Sequence, residues 1–286
     1  MNASERSTPI DRERPTLAEL RRRVHKERYR EIGNFLARRI ARPSAVYGTW
    51  LAVRLGISAH QVTLGSLSLS IASGILLATG SRSGFVLAVA LEHAAFWLDH
   101  VDGQVARWRG TESLDGVYYD YMMHHLDALA VGFGLGFGLA VRTGHLYWTA
   151  AGFLIAIGRL FLSVHNDCRY KAFFQRMKRE TRSFRIDGGA GGAFAPAPAP
   201  GPPARGLALV RWILLKACEP HVVLSILSAL VLISLINQGI WTISLKIYVT
   251  GMAVTAPVLA AGRAYRTIRR GAVESEFDRW FKPLRS

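Results

Sequence analysis

The stretch DHVDGQVARWRGTESLDGVYYDYMMHHLD, residues 99–127, sets acidic and small residues at helical spacing. On an α-helix Asp99, Asp102, Gly103 and Ala106 fall at i, i+3, i+4 and i+7 and share one face; Gly116, Asp120, His124 and Asp127 share another. Two helices that enter and leave one short turn can point these acids at each other. Ionised carboxylates so placed repel, and beside hydrocarbon they are costly, so they need a cation. An all-oxygen set suits Mg²⁺ or Mn²⁺. Such an ion, with positions left open, can grip a diphosphate and neutralise charge as a bond to phosphorus breaks, which points to phosphoryl transfer. Gly103, Ala106 and Gly116 let a nucleotide lie close to the helix backbones, and Arg107 can reach a phosphate oxygen or anchor the interface.

The elements that must carry this stretch are long and apolar. Half of the 286 residues are hydrophobic, and they concentrate in blocks at 60–79, 84–106, 117–141, 146–165, 221–238 and 243–262, each near the ~20 residues that cross a hydrocarbon core. The expected fold is an all-α integral membrane protein with six transmembrane helices. Ahead of them, NFLARRIARPSAVYGTWLAVRLG mixes apolar residues with Arg38, Arg39, Arg42, Arg54 and Trp50, the composition of an interfacial amphipathic helix.

The net charge of +16 raises nucleic acid as a partner, but the positions of the basic residues argue otherwise. Of 36 Lys and Arg, 32 fall before the first block, between blocks two and three, between four and five, or after the last. With six spans and both termini in the cytoplasm, all of these lie on one side, as the positive-inside rule requires. The basic excess orients the chain and faces anionic lipid, with no nucleic acid implied. The expected location is the cell (inner) membrane. No short apolar core precedes a small-residue cleavage site, so no cleaved signal peptide is expected. Cys168 and Cys218 support neither a disulfide framework nor a zinc site.

Three parts follow: a charged cytoplasmic arm at 1–32, to which the sequence assigns no chemistry; a membrane domain at 33–265 with a Gly/Ala/Pro-rich linker at 187–206; and a basic cytoplasmic tail at 266–286. LALVRWILLKACEP, after the linker, reads as a second interfacial helix before Pro220 opens the fifth span.

DHVDGQVAR, eight residues, then GVYYD resembles the signature of the CDP-alcohol phosphotransferase (CDP-alcohol phosphatidyltransferase) family, DxxDGxxAR, eight or nine residues, GxxxDxxxD. Seven of the eight signature positions match at the correct spacing. The resemblance implies a six-helix core over about 35–265 and a divalent metal, Mg²⁺ or Mn²⁺, on Asp99, Asp102 and Asp120. It places Gly103, Ala106, Arg107 and Gly116 against the CDP moiety. The eighth position holds the family's base, and here it is His124. Asp127, one turn on, is expected to orient the imidazole or to serve as the base itself. Where the family commonly has Pro and Asn before the first span, this chain reads SAHQVT, with Ala59 and His60.

The implied reaction moves a phosphatidyl or other phospho-alcohol group from a CDP-alcohol to the hydroxyl of a small polar alcohol and releases CMP, in phospholipid biosynthesis. CDP-diacylglycerol is the expected donor, and a homodimer is expected. Arg159, Arg169 and Lys171 are candidates for an acceptor's phosphate. Two other classes remain open: an inactive family member that binds nucleotide or lipid, and a six-helix transporter, although a transporter's charged groups should sit near the midplane.

Overall fold

The computed structural model describes residues 14–25, 34–179, 184–186, 201–203 and 205–283. Helix α1 (Leu17–Arg23) opens at Thr16, whose Oγ1 accepts from Glu19 N while the Glu19 carboxylate accepts from Thr16 N. A π-helical turn, Ala37–Ala41, runs into α2 (Arg42–Arg54). Then come α3 (Ala59–Ala78), α4 (Arg82–Arg109), α5 (Leu114–Thr143) and α6 (Tyr147–Arg179), followed by α7 (Leu207–Ala217), α8 (Pro220–Ile236), α9 (Gln238–Arg269) and α10 (Ala272–Trp280). A three-residue strand, β1 (Phe184–Ile186), pairs antiparallel with β2 (Phe281–Pro283). Most of the Gly/Ala/Pro tract expected as a linker lies outside the described residues.

The all-α membrane architecture expected from the apolar blocks is observed. Helices α3, α4, α5, α6 and α9 are each long and apolar enough to cross a membrane. The expected fifth span differs in form. With 17 residues α8 is short, and it meets α7 at 75°, so the two together make the sixth candidate. Cys218, Glu219 and Pro220 set that bend: Pro220 supplies no N–H to continue α7 and suits the first turn of α8.

Helix α3 packs on α4 and α5, α5 on α6, and α6 on α9. Without a hydrophobic force between helices in lipid, close backbone approach carries this packing, and small residues permit it. The run VGFGLGFGLA in α5 supplies them on two faces. A Cβ at Gly136 would lie 2.5 Å from Gly152 Cα of α6, and one at Gly134 would lie 2.5 Å from the Gly74 carbonyl of α3.

At the end of the bundle holding Gly80 and Thr143, Arg142 of α5 ties α9 to the turn between α3 and α4. Its Nε donates to Thr242 Oγ1 at 2.8 Å, one terminal nitrogen donates to the Gly80 carbonyl at 3.3 Å, and the guanidinium lies 4.2 Å from the Trp241 ring centroid. At the other end, the segment expected as a basic tail folds back: α10 brings Glu274 and Asp278 to Arg176 at 2.5 and 3.1 Å, and Phe277 and Phe281 pack on Phe173 of α6.

Candidate active site

The turn between α4 and α5 determines the site. Gly110 ends α4 at φ 67°, a left-handed conformation that favours glycine. Three residues later Ser113 caps α5, its Oγ accepting from Gly116 N at 3.1 Å. The chain reverses over this short turn, and the acidic faces of the two helices meet.

They meet at Asp99, Asp120 and His124, whose potential ligand atoms all lie within 4.8 Å of one another. His124 Nε2 is 3.7 Å from Asp99 Oδ1 and 3.5 Å from Asp120 Oδ1. Asp99 Oδ1 is buried and has no hydrogen-bond partner among the described residues. An orphaned carboxylate oxygen facing a second carboxylate and an imidazole fits a divalent cation by charge and by donor type. Asp99 and Asp120 would hold it, with His124 Nε2 beside both.

The third expected metal ligand, Asp102, lies in the same cavity with its oxygens engaged by protein. Oδ2 accepts from Thr63 Oγ1 at 2.7 Å and Oδ1 from Gly103 N at 2.5 Å. Thr63 was legible only as the closing residue of SAHQVT, which carried no assigned role. His60, in the same stretch, also lines the cavity, and its ring centroid is 5.3 Å from that of Tyr119.

The cavity has a volume of about 430 Å³, and its walls include Asp99, Asp102, Gly103, Ala106, Arg107, Gly116, Asp120 and His124. All four residues expected beside the CDP moiety thus face one space with the acids. A Cβ on Gly103 would come within 3.2 Å of an Arg107 terminal nitrogen, so the guanidinium lies over a backbone left bare. Gln104, on the neighbouring face of α4, braces the wall: its Nε2 donates to the Arg42 carbonyl at 2.9 Å and its Oε1 accepts from Thr49 Oγ1 at 2.9 Å.

The remaining expected residues go elsewhere. Asp127 does not pair with His124. It accepts from Ser70 Oγ at 3.1 Å and faces Arg159 at 3.8 Å, with Glu92 beside it. One helical turn moves Asp127 off the cavity wall and into the bundle, where the guanidinium from α6 meets it. Arg159, Arg169 and Lys171 have different surroundings. Arg159 is buried against α5, Arg169 is paired with Glu276 of α10, and Lys171 is exposed. His125, a neighbour on the other face, pairs with Asp167 at 2.9 Å.

Residues 57–179 match the family model for CDP-alcohol phosphatidyltransferase. This segment is similar to a CDP-alcohol phosphatidyltransferase domain. It spans α3 to α6 and contains every acidic residue of the cavity, whereas α1, α2 and α7 to α10 lie outside it. No curated protein matches the chain. The family is one of transferases, acting by phospho-alcohol transfer from a CDP-alcohol, and the candidate metal cluster sits within the matched segment.

Proposed function

We propose that the protein is a metal-dependent membrane phosphotransferase that moves a phosphatidyl group from CDP-diacylglycerol to the hydroxyl of a small polar alcohol and releases CMP, a step of phospholipid biosynthesis. The observation that carries this reading is the meeting of Asp99, Asp120 and His124 in the cavity walled by Gly103, Ala106, Arg107 and Gly116. Those carboxylates face no Lys or Arg ion-pair partner among the described residues, and the small residues leave room for a nucleotide against the helix backbones. A divalent ion, Mg²⁺ or Mn²⁺, would offset the negative charge of the diphosphate as its bridging bond breaks.

The chain's own residues account for the rest. Arg107 directs its terminal nitrogens over Gly103 at the diphosphate, and Asp102, fixed by Thr63, would join Asp99 and Asp120 in holding the ion. His124 takes the acceptor's proton; the acceptor oxygen then bonds to the β-phosphorus while the bridging oxygen departs with CMP. The site opens at the bundle end that carries most of the basic residues. We assign that end to the cytoplasm together with both termini, so a lipid donor and a soluble acceptor reach one cavity.

His124 Nε2 touches both carboxylates, which also favours a second reading in which it is a third metal ligand and not the base. Manganese titration separates the two: a base leaves Mn²⁺ affinity intact in His124→Ala, and a ligand does not. The functional reading is tested by incubating purified protein with labelled CDP-diacylglycerol, Mg²⁺ or Mn²⁺ and a panel of alcohols. Metal-dependent CMP release that requires an acceptor supports it, and tight CDP binding without any turnover identifies an inactive member instead.

A further inference from the structure

Helix α1 lies outside the matched segment, yet it reaches the cavity. Val24 and His25, at its C-terminal end, line the same space as Asp99 and His124. The Val24 carbonyl accepts from Arg107 Nε at 2.7 Å. That bond engages one nitrogen of the guanidinium and turns its terminal nitrogens over Gly103, into the cavity. A guanidinium on a flexible side chain samples many rotamers, so a carbonyl that fixes Nε removes an ordering cost which a bound phosphate would otherwise meet.

The docking that presents this carbonyl is specific. Leu20 and Val24 are fully buried against Val46, Val53 and Trp108, and Trp108 follows Arg107 directly in α4. Arg21 donates to Tyr47 Oη at 2.9 Å and fixes the far side of α1. Charge repulsion alone would hold an arm so rich in Arg away from the basic residues of α2 and α4; the apolar face of α1 overcomes it.

We propose that α1 is a positioning element of the nucleotide site: by docking Leu20 and Val24 beside Trp108, it sets the Val24 carbonyl on Arg107 Nε and holds that arginine in the orientation that receives the donor's diphosphate. The inference rests on the functional reading above, since it takes a cytidine diphosphate as the cavity's ligand. It adds to that reading a part of the chain with no place in the matched segment.

The test titrates full-length purified protein with CDP in the presence of Mn²⁺. A graded series, Leu20→Met, Leu20→Ala and Leu20→Asp, loosens α1 in that order without touching the cavity wall. CDP affinity should hold in Leu20→Met, fall in Leu20→Ala, and fall about tenfold in Leu20→Asp, the effect expected for losing the orientation of one charge-assisted contact. In an Arg107→Lys background, which lacks Nε, Leu20→Asp should cost no more than about twofold, because interacting residues are not additive. Should Leu20→Asp not fold, Leu20→Ala carries the same comparison. If the unmodified protein binds no CDP, the functional reading falls and this inference with it. If it binds CDP and the Leu20 series is flat, or equally steep in Arg107→Lys, only the role of α1 falls.

Discussion

Helices α4 and α5 meet at two acidic clusters, and they differ in where the cation comes from. In the first, Asp99 and Asp120 face each other and His124, with side-chain exposures of 16%, 48% and 43%, and none of the three faces a Lys or Arg ion-pair partner among the described residues. In the second, two turns deeper, Glu92 and Asp127 lie beside Arg159, whose side chain is 4% exposed, and the hydroxyls of Ser70 and Ser73 are adjacent. The deeper cluster is closed and carries its own positive charge. The shallower one is open and lacks it. Identical chemistry on the same two helices therefore has two uses: a buried guanidinium makes the first kind of cluster structural, and the lack of one leaves the other to take a cation and an anionic substrate from outside.

The strongest way to break this comparison is to remove charge from the open cluster. Asp99→Asn and Asp120→Asn should each reduce metal-dependent CMP release to background while the protein stays folded, because each loses a ligand and the charge that retains the ion. Near-normal release in either variant would show that the open cluster has no such use. His124→Ala should cost about two to four orders of magnitude in rate with CDP binding retained, the usual span for a general base. His124→Asp restores the residue type of the family's signature and should recover Mg²⁺-dependent turnover. An unchanged rate in His124→Ala removes the base assignment.

The two clusters were unequally legible in the sequence. Helical spacing and the short turn between α4 and α5 pointed Asp99, Asp102 and Asp120 toward one another, whereas His124 stood out through the resemblance to the family signature. The pairing of Asp127 with Arg159 was not legible, since it depends on how α6 rotates against α5, which the Gly136–Gly152 approach fixes and no single-helix pattern encodes. The same limit explains Arg169. In the sequence it read as a candidate for an acceptor's phosphate, and only the folding back of α10 reveals Glu276 as its partner. The starts of the apolar helices were clear from hydropathy to within about five residues, but α6 runs on to Arg179 past an expected end at 165, and the 75° bend that combines α7 with α8 was visible only as Pro220 and an interfacial composition. Val24 was invisible to any motif: its contribution is a backbone carbonyl, and every residue has one.

Removing the positive charge from the closed cluster sharpens the contrast. Arg159→Gln leaves Glu92 and Asp127 adjacent and uncompensated, which should destabilise the folded protein by about 3–5 kcal/mol, read as a lower unfolding midpoint in detergent. Glu92→Gln in the same chain should recover part of the loss by removing one of the two acids. CDP affinity per folded molecule should change little, because neither residue lines the cavity. A large loss of CDP affinity with unchanged stability would mean that the deeper cluster belongs to the site.

The finest test lies between the clusters, at the hydroxyl that holds Asp102. Thr63 Oγ1 donates to Asp102 Oδ2 at 2.7 Å from α3, a third helix that reaches neither Asp99 nor Asp120 by any hydrogen bond or ion pair among the described residues. Thr63→Val keeps the shape and deletes the donor. A hydrogen bond to a charged group contributes about 1.5–3 kcal/mol, but a carboxylate beside an open cavity regains part of that from water. The expected loss is therefore about tenfold in Mn²⁺ affinity, at the low end for a partner one step removed from a metal, with turnover restored at saturating metal. Recovery by excess metal separates a positioning role from a catalytic one. If Thr63→Val is silent while Asp102→Asn abolishes turnover, Asp102 acts directly on the ion and needs no help from α3. If both are silent, Asp102 belongs with the closed cluster as a structural acid, and the metal site consists of Asp99, Asp120 and His124 alone.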